Sequence, residues 1–102
     1  MMDGKFVPTL TYVLELENNK WYVGKSMMLN IRIGYHTDND GSVWTKKYKF
    51  KRIEKVVVGD REKELTLQYM IIKGWQNVRG YSWCKVDLDK PPKVLHQFFD
   101  GD

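Results

Sequence analysis

The sequence predicts an α+β fold: a three-stranded, mostly antiparallel sheet flanked by helices. Two observations carry this expectation. Residues 10–16 (LTYVLEL) and 21–25 (WYVGK) are short runs rich in aromatic and β-branched residues. The turn cluster Glu17-Asn18-Asn19-Lys20 separates them, which makes the pair an antiparallel hairpin. Residues 27–37 and 60–73 instead space their apolar positions as helices do.

The elements follow in order. Residues 1–9, with Asp3, Gly4 and Pro8, read as a lead-in to the first strand. Ser26 can cap the first helix, whose stripe is Leu29, Ile33 and His36. Residues 37–42 (TDNDGS) form a loop. The stretch 44–52 (WTKKYKFKR) alternates cations and rings, as an extended segment with charges on one side would. Residues 53–58 (IEKVVV) are the third strand. Asp60 is positioned to cap the second helix, Leu65, Tyr69 and Ile72 mark its apolar stripe, and Gly74 stops it. Asn77-Val78-Arg79-Gly80 reads as a loop, and residues 82–88 (SWCKVDL) as a late strand or an extended flank. After Pro91 and Pro92, residues 93–99 form a short terminal helix. No repeat or linker interrupts the 102 residues, so they form one domain.

Composition narrows the functional classes. A net charge of +4 is compatible with a polyanionic partner, though it equally suits a slightly basic surface. A single cysteine, Cys84, excludes an internal disulfide and fits an intracellular, reducing compartment. It reads as a small buried apolar residue. No Cys/His spacing suggests zinc, and neither a signal region nor an apolar stretch long enough for a membrane is present. His96 reads as a packing or surface residue, and Trp75 as a cap on the core.

The chemistry-bearing residues cluster early. The hairpin sets Tyr12 and Tyr22 on neighbouring strands. Arg32 and His36, four residues apart, share a helix face, and Lys25 lies where strand gives way to helix. Phenols, an imidazole and two cations are what phosphodiester cleavage uses: a base or relay for water, and positive charge for the pentavalent transition state. Each residue taken singly also fits a structural role in a core or on a solvated face.

Order and spacing together resemble the GIY-YIG nuclease superfamily. Leu10-Thr11-Tyr12 keeps the tyrosine of the first motif, and Tyr22-Val23-Gly24 matches the second, ten residues on as in the family. Residues 29–36 (LNIRIGYH) are similar to the family's helix pattern. Trp44-Thr45-Lys46-Lys47-Tyr48 and Asn77-Val78-Arg79-Gly80 resemble a subgroup found in large DNA viruses and microbes. The resemblance spans residues 10–86, leaving 87–102 as a tail.

The resemblance implies a metal-dependent endonuclease acting on DNA with one Mg²⁺ or Mn²⁺ ion. It implies that Tyr22, or Tyr12 with it, helps activate water, and that Arg32 stabilises charge on the phosphate with help from Lys25. His36 would contact the phosphate or the water, and Asn77 would support the site. The family's metal-binding glutamate falls on the second helix, where this chain has Gln68, a poorer ligand for a hard cation. Glu64, four residues earlier on the same face, is the candidate substitute. Glu62 is another nearby acid, on a face about 120° away from that of Gln68.

The segment holding Trp44, Lys46, Lys47, Lys49, Lys51 and Arg52 is the expected nucleic-acid rim, cations meeting phosphates and rings meeting bases. Its alternative is an edge strand whose lysines discourage aggregation. No base-reading element is evident, so DNA would be bound with little sequence preference. A domain this small would engage both strands more readily as a homodimer or with a protein partner. The alternative to a nuclease is a binding module that holds nucleic acid without turnover.

Overall fold

A computed structural model describes residues 7–37 and 42–99, with residues 36, 37, 98 and 99 described by backbone alone. Most of the expected lead-in and of the loop at 37–42 lies outside the described residues. The hairpin forms as read: β1 (Leu10–Leu16) pairs antiparallel with β2 (Lys20–Ser26). The turn between them puts Asn18 and Asn19 at φ of 63° and 57°, a region asparagine tolerates better than most residues.

Next come α1 (Leu29–Thr37), α2 (Val43–Lys47), β3 (Phe50–Val58) and α3 (Glu62–Lys73). A 3₁₀ turn (Trp75–Asn77), β4 (Val78–Gly80), a second 3₁₀ turn (Lys93–Leu95) and the short α4 (His96–Phe99) complete the chain. The sheet is four-stranded and mixed, in the order β3-β1-β2-β4. No helix among the described residues is long and apolar enough to cross a membrane.

β1 lies at the centre, and its alternating side chains enter two cores. Val13, with Trp21 and Val23 of β2, packs against Leu65, Tyr69 and Met70 of α3. Tyr12, Leu14 and Leu16 face the other way, onto Trp44 of α2 and the inner side of α1, Leu29 and Ile33. Burial on both faces explains why β1 reads as a nearly unbroken apolar run.

Two expectations are corrected. The sheet has a fourth strand, because residues 78–80, read as a loop, pair in parallel with residues 21–23. Three residues that include an arginine and a glycine carry no strand signal of their own. The ladder forms because Gly80 lets two backbones meet: a β-carbon there would lie 2.5 Å from the Val23 carbonyl oxygen. Residues 82–88 then form no regular strand, only a single bridge from Trp83 to Gly80.

The segment 44–52 is likewise not uniformly extended. Ser42 accepts a hydrogen bond from the Thr45 N–H at 3.2 Å, starting α2, and only from Phe50 does the chain become β3. The pattern of cations and rings is therefore split between a helical turn and an edge strand. Ser26 does meet the first helix, accepting from the Met28 N–H at 2.8 Å. Asp60 is a weak cap, 3.5 Å from the Glu62 N–H, and Arg61 occupies the cap position.

Candidate phosphate-handling site

Tyr12 is buried (1% exposed), and Tyr22 is only partly covered, with ring centroids 6.4 Å apart. The two rings are juxtaposed because Tyr12 lies opposite Gly24 in the hairpin register. A β-carbon at residue 24 would stand 2.5 Å from the Tyr12 hydroxyl oxygen and 3.0 Å from the Tyr22 ring. That is the physical reason for glycine two residues after Tyr22. Leu10, where the resemblance expects glycine, is half-buried at the start of β1, opposite Ser26 and the third strand's Val58. Gly24→Ala is expected to displace the Tyr12 ring and cost about 1–3 kcal/mol by overpacking, seen as a lowered melting temperature.

Burial pushes both phenols up. Tyr22 rises to about 12, through desolvation first, then the nearby Cys84 and Glu62, against the opposing effects of Arg32 and a hydrogen bond from Ser42. Tyr12 is pushed higher still, by desolvation and by Tyr22 itself, again with Arg32 opposing and Glu62 adding. Both hydroxyls are therefore protonated at neutral pH. Such groups donate hydrogen bonds and do not act as free phenolate bases.

Both phenols are influenced by Arg32 and by Glu62. Arg32, exposed on α1, has its guanidinium 5.9 Å from the Tyr35 ring centroid. Glu62 opens α3 and is half-buried. Desolvation raises its carboxyl, Asp60 adds to the rise, and Lys25 and a hydrogen bond from the Tyr81 backbone N–H oppose it. The charges of Arg32 on α1 and Glu62 on α3 thus both reach the phenols of the hairpin, from elements that the fold sets around it.

Thr11 fastens the third of these. Its buried hydroxyl donates to the Gly59 carbonyl at 2.7 Å and accepts from the Arg61 N–H at 2.8 Å. The start of α3 is thereby tied to β1 beside Tyr12. Lys25 stands at the end of β2, paired with Asp60 at 2.8 Å, and both are exposed.

The acids proposed from sequence fare differently. Glu64 is exposed and held by Arg61 in a two-pronged contact of 2.6 and 2.7 Å, which holds its carboxyl low. Gln68 is exposed one turn further along α3. Neither acts on the phenols as Glu62 does. Sequence reasoning passed over Glu62 because helical geometry alone separates it from Gln68. No local signal could have singled it out, since its approach to the phenols follows from Thr11 holding the Arg61 N–H across 50 positions of chain.

Asn77 joins the end of α3 to β2, accepting from Lys20 Nζ at 3.0 Å and donating to the Lys73 carbonyl at 2.8 Å. His36 lies on α1, and its side chain is outside the described residues.

Trp44 is not available to a nucleic acid. It is 2% exposed, donates its indole N–H to the Trp21 carbonyl at 2.9 Å and meets Tyr48 edge-on. An α2 helix placed under the sheet needs a large apolar plug, and Trp44 supplies it. Lys46, Lys47, Lys49, Lys51 and Arg52 are exposed as expected. Lys51 and Arg52, however, pair with Glu15 at 3.4 and 2.8 Å, which lowers the positive charge they offer. Cys84 is exposed, not buried, and donates its thiol to the Tyr81 carbonyl at 3.1 Å.

No protein-family model, curated protein or solved structure matches this chain. The class that the described residues define is a small α+β domain with a four-stranded mixed sheet, in which two tyrosine rings sit side by side on the hairpin.

Proposed function

We propose that this domain is a GIY-YIG-type endonuclease that binds DNA with little sequence preference and hydrolyses its phosphodiester bonds with one Mg²⁺ or Mn²⁺ ion. One observation carries the reading: Tyr12 and Tyr22 both feel Arg32 from α1 and Glu62 from α3. An arrangement of that kind would offer donors for a phosphate and an acid for a metal around the same pair of rings.

Water would attack phosphorus as the bond to the leaving oxygen breaks. Arg32 would offset the charge gathering on the phosphoryl oxygens, with Lys25 adding to the field. Tyr22, protonated at neutral pH, would orient the water and donate toward the phosphate. The water proton must then go elsewhere. His36, which the resemblance sets at the phosphate or the water, would receive it, an imidazole being the usual acceptor for such a proton.

Glu62 suits a metal ligand because its half-buried charge is incompletely compensated. Among the described residues no three His, Cys, Asp or Glu side chains converge. A hard cation held by one such carboxylate would complete its shell with water and substrate oxygens, as Mg²⁺ commonly does. When bound, the ion would polarise the phosphate and favour deprotonation of water.

The high phenol pKa values favour a second reading, a module that holds nucleic acid without turnover. One assay separates the two: supercoiled plasmid incubated with Mg²⁺ or Mn²⁺, beside a binding titration. Nicking by the wild type that falls at least ~100-fold in Tyr22→Phe and in Arg32→Ala supports the nuclease. Salt-dependent binding without nicking supports the module. Absence of both would rule out a nucleic-acid role.

A further inference from the structure

We infer that Tyr81 is a stacking platform for an unpaired nucleobase beside the phosphate-handling site. The inference rests on the nucleic-acid reading above and names the form of substrate the site takes. The residue stands out on backbone grounds: its φ is +55°, a region that disfavours any side chain with a β-carbon and suits glycine. A large ring is held there all the same, and it is 44% exposed. Strain of this kind at an exposed aromatic points to a use outside the fold.

The surroundings fix the ring and join it to the site. The Tyr81 N–H bonds the Glu62 carboxylate, and its carbonyl accepts from the Cys84 thiol. Trp83 leans on the ring at 5.4 Å with the planes tilted by 48°. Lys63 Nζ stands 6.0 Å from the ring centroid, at the limit of a cation–π contact. The ring lines an open depression with Asp60, Arg61 and Leu67. The Tyr81 backbone bonds Glu62, whose charge reaches Tyr22, so the ring is the exposed aromatic tied to that side of the site, where a base next to a bound phosphate would meet it.

A base buried in a duplex offers no free face. A single-stranded, gapped or splayed nucleotide does, and every base has a face that an aromatic ring can stack on. The site therefore takes DNA with an unpaired nucleotide in preference to intact duplex.

The test uses Tyr81→Gly, Tyr81→Phe and Tyr81→Asn. Glycine and asparagine both accept the backbone angle, so a folded variant without the ring is assured of one candidate. Each is titrated by fluorescence anisotropy, in chelator and at low salt, against an oligothymidylate of about 12 nucleotides and against a duplex of equal length. The expected result is roughly 5- to 100-fold weaker single-strand binding by the Gly and Asn variants, with Phe close to wild type. Duplex affinity should hardly change, and the melting temperature of the Gly variant should stay or rise. Wild-type single-strand affinity in the folded Gly or Asn variant overturns the platform and leaves the nucleic-acid reading standing. So does an equal loss in Phe, which would assign the effect to the hydroxyl. No measurable affinity of the wild type for either probe overturns both.

Discussion

Arg79→Ala is expected to destabilise the domain by about 3–5 kcal/mol, a large part of the ~5–15 kcal/mol typical of a chain this long. Arg79 is 2% exposed, and its guanidinium donates to a ring of backbone carbonyls. It donates to Trp75, Val78, Lys85 and Val86 at 2.6–3.0 Å and to Gln76 at 3.4 Å, and its guanidinium carbon lies 4.2 Å from the Trp44 ring centroid. Desolvation lowers its pKa, but a guanidinium stays charged. One side chain therefore ties the 3₁₀ turn before β4 to the loop after it, and both to α2. Truncation strands several carbonyls and opens a gap against Trp44. Thermal unfolding should fall by at least ~12 °C. Arg79→Lys should recover little, since one ammonium cannot span the same fork of acceptors. A melting curve for Arg79→Ala that matches wild type would mean these bonds are not what holds the loop.

Glu62→Gln is expected to remove cleavage, by at least ~100-fold in kcat, while leaving the fold intact. The amide keeps an oxygen for the Tyr81 N–H and removes a charge that burial disfavours. Its melting temperature should therefore match or slightly exceed that of wild type, and DNA binding in chelator should persist or strengthen. Glu64→Gln and Gln68→Glu are the informative comparisons. Both lie on the exposed side of α3, with Glu64 already engaged by Arg61, so each should change cleavage by only a few-fold. A large gain in Gln68→Glu, with Glu62→Gln still active, would move the metal to the position the resemblance first suggested.

These two residues also mark how much was legible in the sequence. The hairpin, α1 and α3 follow from patterns within a few residues: alternating apolar positions, an asparagine turn, an apolar stripe closed by Gly74. Tyr12, Tyr22 and Arg32 were recognisable for the same reason, since their spacing is local. Glu62 was not, because its approach to the phenols depends on Thr11 bonding residues 59 and 61, across 48 and 50 positions of chain. Arg79 gave no sign of being an internal tie, as arginine is ordinarily a surface residue. Trp44 and Cys84 exchanged their expected places for a related reason. A tryptophan among lysines looks like a surface ring until Ser42 starts a helix that turns it inward. A lone cysteine looks buried until the Gly80–Trp83 bridge leaves it in an exposed loop.

What the sequence determined by itself is the local part: an α+β order of elements and two tyrosines set on neighbouring strands of one hairpin. What only the tertiary structure decided is which acid joins them, which rings are free and where the fourth strand lies. Those depend on contacts between segments far apart in the chain. Short-range periodicity carries no record of such contacts, because their energy comes from desolvation and hydrogen bonds that exist only once the sheet and helices have met.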